Sequence, residues 1–142
     1  MDKMVISGKR KTAVAKATIE DGEGKITFNK RPIAFLSDLQ QLEISEPLVI
    51  ANDVLSPRDD SGEPGGLKFD IALNVTGGGI ACQVEAGRLA IAKAIVKFTK
   101  NEDVKNAFLA YDRNMIVADT RRKEACKPGD SKARAMRQSS FR

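Results

Sequence analysis

Apolar and polar positions alternate over residues 11–19: Ala13, Ala15, Ala17 and Ile19 share one face, while Thr12, Val14, Lys16 and Thr18 share the other. A period of two predicts a strand with one buried face, and small alanines on that face predict close approach by a helix. Asp21-Gly22-Glu23-Gly24 reads as a turn, and Ile26 and Phe28 resume the alternation beyond it, so the segment predicts a hairpin. Between Pro32 and Leu55 the spacing is mixed. Ile33, Leu36, Leu39 and Leu42 fit a helix that Pro47 is expected to break, with a short helix after it.

Residues 58–66 form a loop by composition, and its adjacent Asp59 and Asp60 read as solvated side chains rather than a cation site. Phe69, Ile71, Leu73 and Val75 then alternate with Asp70, Ala72 and Asn74, which predicts a second half-buried strand ending in Gly77-Gly78-Gly79. Beyond it Ile80, Val84, Gly87, Ile91, Ile95 and Phe98 recur at steps of three and four, the apolar stripe of a helix. Lys93, Lys97 and Lys100 form a separate basic row on it. A further helix, roughly Glu102 to Tyr111, carries Val104, Phe108 and Tyr111 on one side. Strands alternate with helices, so the expected fold is an α/β two-layer sandwich.

Length and charge divide the chain. Its 142 residues correspond to about one domain. Residues 1–120 carry sixteen Lys and Arg against seventeen Asp and Glu, a net charge of −1. Residues 121–142 carry eight cations against Glu124 and Asp130, a net charge of +6 within 22 residues. That stretch has no hydrophobic period and too little apolar surface to offset its ordering entropy. The expectation is a near-neutral globular body over residues 1–120 and an extended basic C-terminal tail over 121–142, disordered when free. Such asymmetry predicts a polyanionic partner. A membrane is not an expected partner: no apolar run approaches the roughly 18 residues of a spanning helix, and the tail lacks an amphipathic apolar stripe. Met1 to Ser7 contain no long apolar stretch, so no cleaved signal peptide is expected either.

Candidate chemistry narrows in the same direction. There is no histidine, which removes a Ser-His-Asp triad, a Cys-His dyad and the usual zinc sites. Cys82 and Cys126 lie too far apart for a metal knuckle, and two cysteines make no disulfide framework, so the reducing cytosol is the expected compartment. No cofactor is expected. Gly77-Gly78-Gly79 stands at a strand-to-helix junction, where backbone N–H groups of Gly78 and Gly79 are placed to meet phosphate. It matches no nucleotide-binding fingerprint and reads equally as a flexible turn. Lys9-Arg10-Lys11 is a run of three cations, and Arg113 with Arg121-Arg122-Lys123 flanks the apolar stretch Met115-Ile116-Val117-Ala118, which is placed to anchor the root of the tail. The remaining tail cations are Lys127, Lys132, Arg134, Arg137 and Arg142. The aromatics fall mostly on apolar stripes, so nucleic acid would be held through phosphates and shape rather than stacking.

The run Ser7-Gly8-Lys9-Arg10-Lys11-Thr12-Ala13-Val14-Ala15-Lys16-Ala17 resembles the opening strand of the small ribosomal subunit protein S-nine family. The resemblance continues through Gly77-Gly78-Gly79 and the helix bearing Gln83, Ala86, Arg88, Ile91, Ala92 and Ala94. It then runs through Tyr111-Asp112-Arg113, Ala118-Asp119, Arg121-Arg122-Lys123-Glu124, Lys127-Pro128-Gly129, and Arg134-Ala135 to Gln138, Ser140 and Arg142. It spans essentially the whole chain in order, and the opening and ending look archaeal. Thr120 stands where relatives usually carry proline, Cys82 where they carry a small residue, Met136 and Ser139 where lysine is common, and Phe141 where tyrosine is common.

The resemblance implies a fold like the second domain of ribosomal protein S five, with a left-handed β-α-β crossover. It also implies a structural role in the head of the small subunit: binding of ribosomal RNA (rRNA), contact with neighbouring ribosomal proteins, and a tail reaching the transfer RNA (tRNA) of the peptidyl site. The residues matching the family's tRNA contact are Ser140, Phe141 and Arg142. On this reading the protein is cytoplasmic, in the ribosome, and not an enzyme. Two alternatives remain at this point: a free basic-tailed nucleic-acid chaperone, and a small-molecule kinase-like enzyme of the same fold family, for which the chain offers no base with a plausible partner.

Overall fold

The alternating segment at the start of the chain is the second arm of a hairpin. In the computed structural model, which describes residues 3–55, 68–129 and 132–136, strand β1 (Met4–Arg10) turns through Lys11 and Thr12 into β2 (Ala13–Asp21). They pair antiparallel with Arg10 opposite Ala13 and Met4 opposite Ile19. β1 escapes a sequence reading because only Ile6 and Gly8 on it are buried, and Gly8 contributes nothing to a hydrophobic period.

The expected hairpin between β2 and the Ile26–Phe28 segment does not form. β3 (Ile26–Phe28) pairs antiparallel with β4 (Arg31–Pro32) and parallel with β5 (Phe69–Thr76), and β5 itself lies antiparallel beside β2. The sheet order is β1-β2-β5-β3-β4. The loop after Asp21 therefore crosses the end of β5, where the Asp70 carboxylate accepts hydrogen bonds from the Glu23 and Lys25 amides at 2.9 and 2.7 Å. The Lys25 amide is the main reason the Asp70 carboxyl lies below its ordinary range. β3 is short, and Asn29 extends its pairing: its amide oxygen accepts from Val75 N at 2.7 Å and its amide nitrogen donates to Val75 O at 3.2 Å. Alternation specifies which face of a strand is buried but not its neighbour, and so it could not reveal the insertion of β5.

Pro47 does not break a helix. α1 (Asp38–Leu55) runs through it, with Ile44, Pro47, Leu48 and Ala51 buried, while Leu39 and Leu42 are exposed. Packing of that face offsets the roughly 3 kcal/mol that an interior proline costs. Ile33 and Leu36 precede the helix and are only partly buried. α2 (Ile80–Thr99) follows the expected stripe through Val84, Gly87, Ile91 and Ile95, although Ile80 on its first turn is exposed. α3 (Glu102–Tyr111) starts at Asn101, whose side chain accepts from Asp103 N at 2.8 Å, a standard N-cap. It buries Val104 and Phe108 but leaves Tyr111 at its exposed end.

Ala13, Ala15, Ala17, Ile19, Ile71, Leu73 and Val75 all turn to the helical side and are buried, whereas Lys16, Ala72 and Asn74 on the other face are exposed. The arrangement is a mixed α and β fold with helices on one face of the sheet. α2 packs on β1 and β2, and the small inner residues permit it: a Cβ added at Gly8 would come within 2.4 Å of Ala86 O and 2.8 Å of Ala90 N. No described helix is long and apolar enough to cross a membrane.

Candidate nucleic-acid interface

Lys9, Arg10 and Lys11, contiguous in sequence, diverge in space. Lys9 lies opposite Val14 on the outward side of β1, whereas Arg10 lies opposite the buried Ala13 on the helical side. Lys11 occupies the turn with a left-handed φ of 50°, a conformation that costs a side-chain-bearing residue about 1 kcal/mol. The Arg10 guanidinium is largely covered and donates to two carboxylates, Glu85 on α2 and Asp119 beyond α3.

Asp119 also receives Arg121. The Arg121 backbone N–H donates to Oδ1 at 2.8 Å, and Nε and Nη2 donate to Oδ2 at 2.9 and 2.7 Å. Arg122 Nη1 donates to the Asp119 carbonyl at 3.3 Å. The Arg121 guanidinium and amide, with Arg10 behind them, hold the Asp119 carboxyl far below the ordinary carboxylate range despite its partial desolvation. Glu85 raises the pKa of Arg10 first and Asp119 second, while Asp119 raises that of Arg121. One carboxylate thus joins two basic runs whose arginines, Arg10 and Asp119's other partner Arg121, belong to opposite ends of the chain; the Arg10–Asp119 contact spans 109 positions.

Two concavities flank this joint. One, of about 260 Å³, mixes charges, with Arg10, Arg88 and Arg121 facing Glu85, Asp112 and Asp119. In it Arg88 Nη1 donates to Asp112 Oδ2 at 3.0 Å; outside its lining, Glu46 Oε2 on α1 lies 2.6 Å from Arg88 Nε. The other, of about 380 Å³, is lined by Arg10, Lys11, Arg121, Arg122 and Lys123, with no carboxylate in its lining.

The glycine triplet packs against the same turn. Gly77 and Gly78 have φ of 76° and 67°, and a Cβ at Gly77 would lie 2.7 Å from Thr12 O. Both are required by the fold. Gly79, the N-cap of α2, has φ −90° and open space where a Cβ would stand, and the first turn of α2 carries no acidic residue.

Downstream, Met115 is fully buried and Ile116 partly so, whereas Val117 is exposed, so only the first half of the expected apolar anchor packs into the core. Arg113 is exposed in a 3₁₀ turn, Arg113–Met115, capped by Asp112. Lys123, Lys127 and Lys132 are exposed. Arg134 Nη2 pairs with Glu124 Oε1 at 2.6 Å, which raises the guanidinium pKa and lowers that of the carboxyl. The described residues from 121 onward contain no helix or strand. Arg137, Ser140, Phe141 and Arg142 lie outside the described residues, as do Asp59 and Asp60.

Residues 8–142 match the family described as ribosomal protein S9/S16. The chain belongs to this family. It is 41% identical over 138 residues to the small ribosomal subunit protein uS9 of Methanococcus maripaludis strain S2, covering 95% of both chains. It is 38% identical over 138 residues to that of Methanococcus vannielii, again covering 95% of each. The archaeal character of its opening and ending agrees with these relatives. It is a ribosomal protein of the small subunit, and not an enzyme.

Sequence reading of this S9/S16 chain missed the carboxylates that organise the site. Asp112 and Asp119 stood out only as parts of family motifs, and Glu85 and Glu46 did not stand out at all. The available signal was an acid two positions before an arginine pair, Asp119 before Arg121-Arg122, which suits a local side-chain-to-backbone bond. Nothing in the sequence indicated that Arg10 would share that acid.

Proposed function

We propose that the protein is a structural constituent of the small-subunit head that binds rRNA through the cationic groove at the root of its tail. The observation that carries this reading is the meeting of Arg10 and Lys11 with Arg121, Arg122 and Lys123 around a concavity without a carboxylate lining. Phosphate is the ligand such a surface suits, since Lys and Arg contribute there through charge and arginine adds a planar two-point donor. Lys11, Arg121, Arg122 and Lys123 meet the backbone directly, Lys9 approaches from the outer face, and Arg10 holds the joint through Asp119. Gly78 and Gly79 offer main-chain N–H groups at the start of α2 beside the groove, and Arg113 extends the surface.

From this root, Lys127, Lys132, Arg134 and Arg137 continue along rRNA, and Ser140, Phe141 and Arg142 reach the peptidyl-site tRNA. Neighbouring proteins of the head, within a cytoplasmic ribosome, complete the set of partners. The parallel β3–β5 pair, joined through α1 beside the antiparallel β1-β2-β5 arrangement, supports a β-α-β crossover in a fold like the second domain of ribosomal protein S five, and the left hand of that crossover is part of the same proposal.

The test is sedimentation after reconstitution. The protein should remain with small subunits through a high-salt wash, whereas a free nucleic-acid chaperone would be released. Deleting Ser140, Phe141 and Arg142 should leave that co-sedimentation intact and weaken tRNA retention by about 1–3 kcal/mol, the worth of one or two charge-assisted hydrogen bonds. Equal tRNA off-rates with and without these three residues would reduce the tip to an rRNA anchor.

A further inference from the structure

A second cationic groove lies on β1 and shares no lining residue with the two concavities at the Arg10–Asp119 joint. It occupies about 490 Å³ between the outer strand β1, which pairs only with β2, and the helical layer. Lys93 and Lys97 reach it from α2 and Lys105 from α3, while Val5, Val96 and Ile116 form its apolar part. Helical spacing aligns Lys93 with Lys97 but cannot show that α3 delivers Lys105 to the same place. Among the described residues none of these three lysines has a carboxylate partner, and no carboxylate lines the groove. Of the other lysines, Lys3 just before β1 pairs with Glu20 at 3.2 Å and Lys25 just before β3 pairs with Glu23 at 2.8 Å, whereas Lys9 and Lys16 on the strands have no carboxylate partner among the described residues.

We infer that this groove is a second RNA-backbone site, one that takes consecutive phosphates of a strand running along β1. The inference rests on the rRNA-binding reading above. Three observations support it. Unpaired ammonium groups at close quarters repel one another, and a polyanion relieves that repulsion. Lys93 and Lys97 are separated by about 6 Å along the helix axis, one turn, which lets each meet a different phosphate. β1 has a neighbour on one side only, so its other edge is open to a ligand, and Val5, exposed at 60%, lines the groove and offers apolar surface to a ribose or base face.

The experiment compares two triple variants of the full chain against a transcript of the small-subunit head RNA, each checked for folding by circular dichroism. K93Q/K97Q/K105Q should lower the magnitude of the slope of log K against log salt by about 2, and weaken binding about 100-fold at 0.1 M salt, at roughly 0.7 per phosphate on single-stranded RNA. K11Q/R122Q/K123Q should lose a similar amount independently. An unchanged slope for the first triple beside a reduced slope for the second overturns the groove site and leaves the rRNA-binding reading standing. A wild-type slope near zero overturns both. Poly-glutamate binding that K93Q/K97Q/K105Q abolishes, with RNA binding unchanged, would assign the groove to an acidic protein segment and overturn the inference.

Discussion

The two basic regions of this protein are built on opposite plans. At the tail root, arginines predominate and carboxylates hold them: Asp119 takes Arg10 and Arg121, Glu85 takes Arg10, and Arg88 lies between Glu46 and Asp112. In the β1 groove, Lys93, Lys97 and Lys105 stand without acids. The difference follows from side-chain chemistry. A guanidinium donates in several directions, so it can brace the fold with some N–H groups and keep others for a ligand. A lysine is a point charge on a flexible stem and is best left free if it is to follow a mobile phosphate. Asp119 therefore fixes Arg10 against the start of the basic segment at Arg121, whereas no ion pair fixes the lysines of the groove.

The largest effect should come from removing one region entirely. A chain ending at Thr120 should still fold, because the buried cluster ends at Met115 with Ile116 packed against it. Its RNA affinity should fall about 10³-fold or more at 0.1 M salt, since up to eight cations are lost, and the remaining salt dependence should come from the body. Filter binding across a salt series measures this. A truncated chain with undiminished affinity would mean that the body alone holds the RNA.

Gly8→Ala should disturb both regions at once, because it pushes α2, which carries Glu85 and Lys93, away from β1. With Ala86 O and Ala90 N only 2.4 and 2.8 Å from the Cβ position, the expected cost is about 1–3 kcal/mol, measured by thermal or urea unfolding. Wild-type stability in this variant would show that the close approach of α2 to β1 is not needed.

Acid should separate the two plans. The folded Asp119 carboxyl titrates below its unfolded value of 3.8, so its contribution to stability is full above that value and is lost as pH falls through the range beneath it. The melting temperature of the wild type should therefore drop more steeply below about pH 4 than that of Asp119→Asn, which should be less stable at neutral pH and flatter in acid. K93Q/K97Q/K105Q should follow the wild-type curve. Identical pH profiles for wild type and Asp119→Asn would remove the brace from the account.

The smallest effect is expected at the turn. Lys11→Asn places a residue that tolerates left-handed backbone where lysine is strained by about 1 kcal/mol. The melting temperature should hold or rise slightly, while the salt slope loses about one phosphate's worth, roughly 0.7–0.9. A drop in stability would show that the lysine side chain contributes to folding, and not only to binding.

Periodicity and composition alone made several elements legible: the buried faces of β2 and β5, the stripe of α2, the two buried positions of α3, and the concentration of charge after Thr120. These are local consequences of side-chain period and of charge density, which a linear chain displays directly. Family motifs then placed the whole chain in order along a known protein. Tertiary structure alone decided the rest. It inserted β5 between β2 and β3, because strand pairing is a choice among remote partners that alternation does not encode. It carried α1 through Pro47, because burial against neighbouring helices outweighed one missing hydrogen bond. It turned Arg10 inward and Lys9 outward through the pleat of a strand, then gave Arg10 and Arg121 a common carboxylate. It also brought Lys105 to the lysines of another helix. Each of these outcomes depends on contacts between segments distant in sequence, whose energies exist only once the chain has closed on itself.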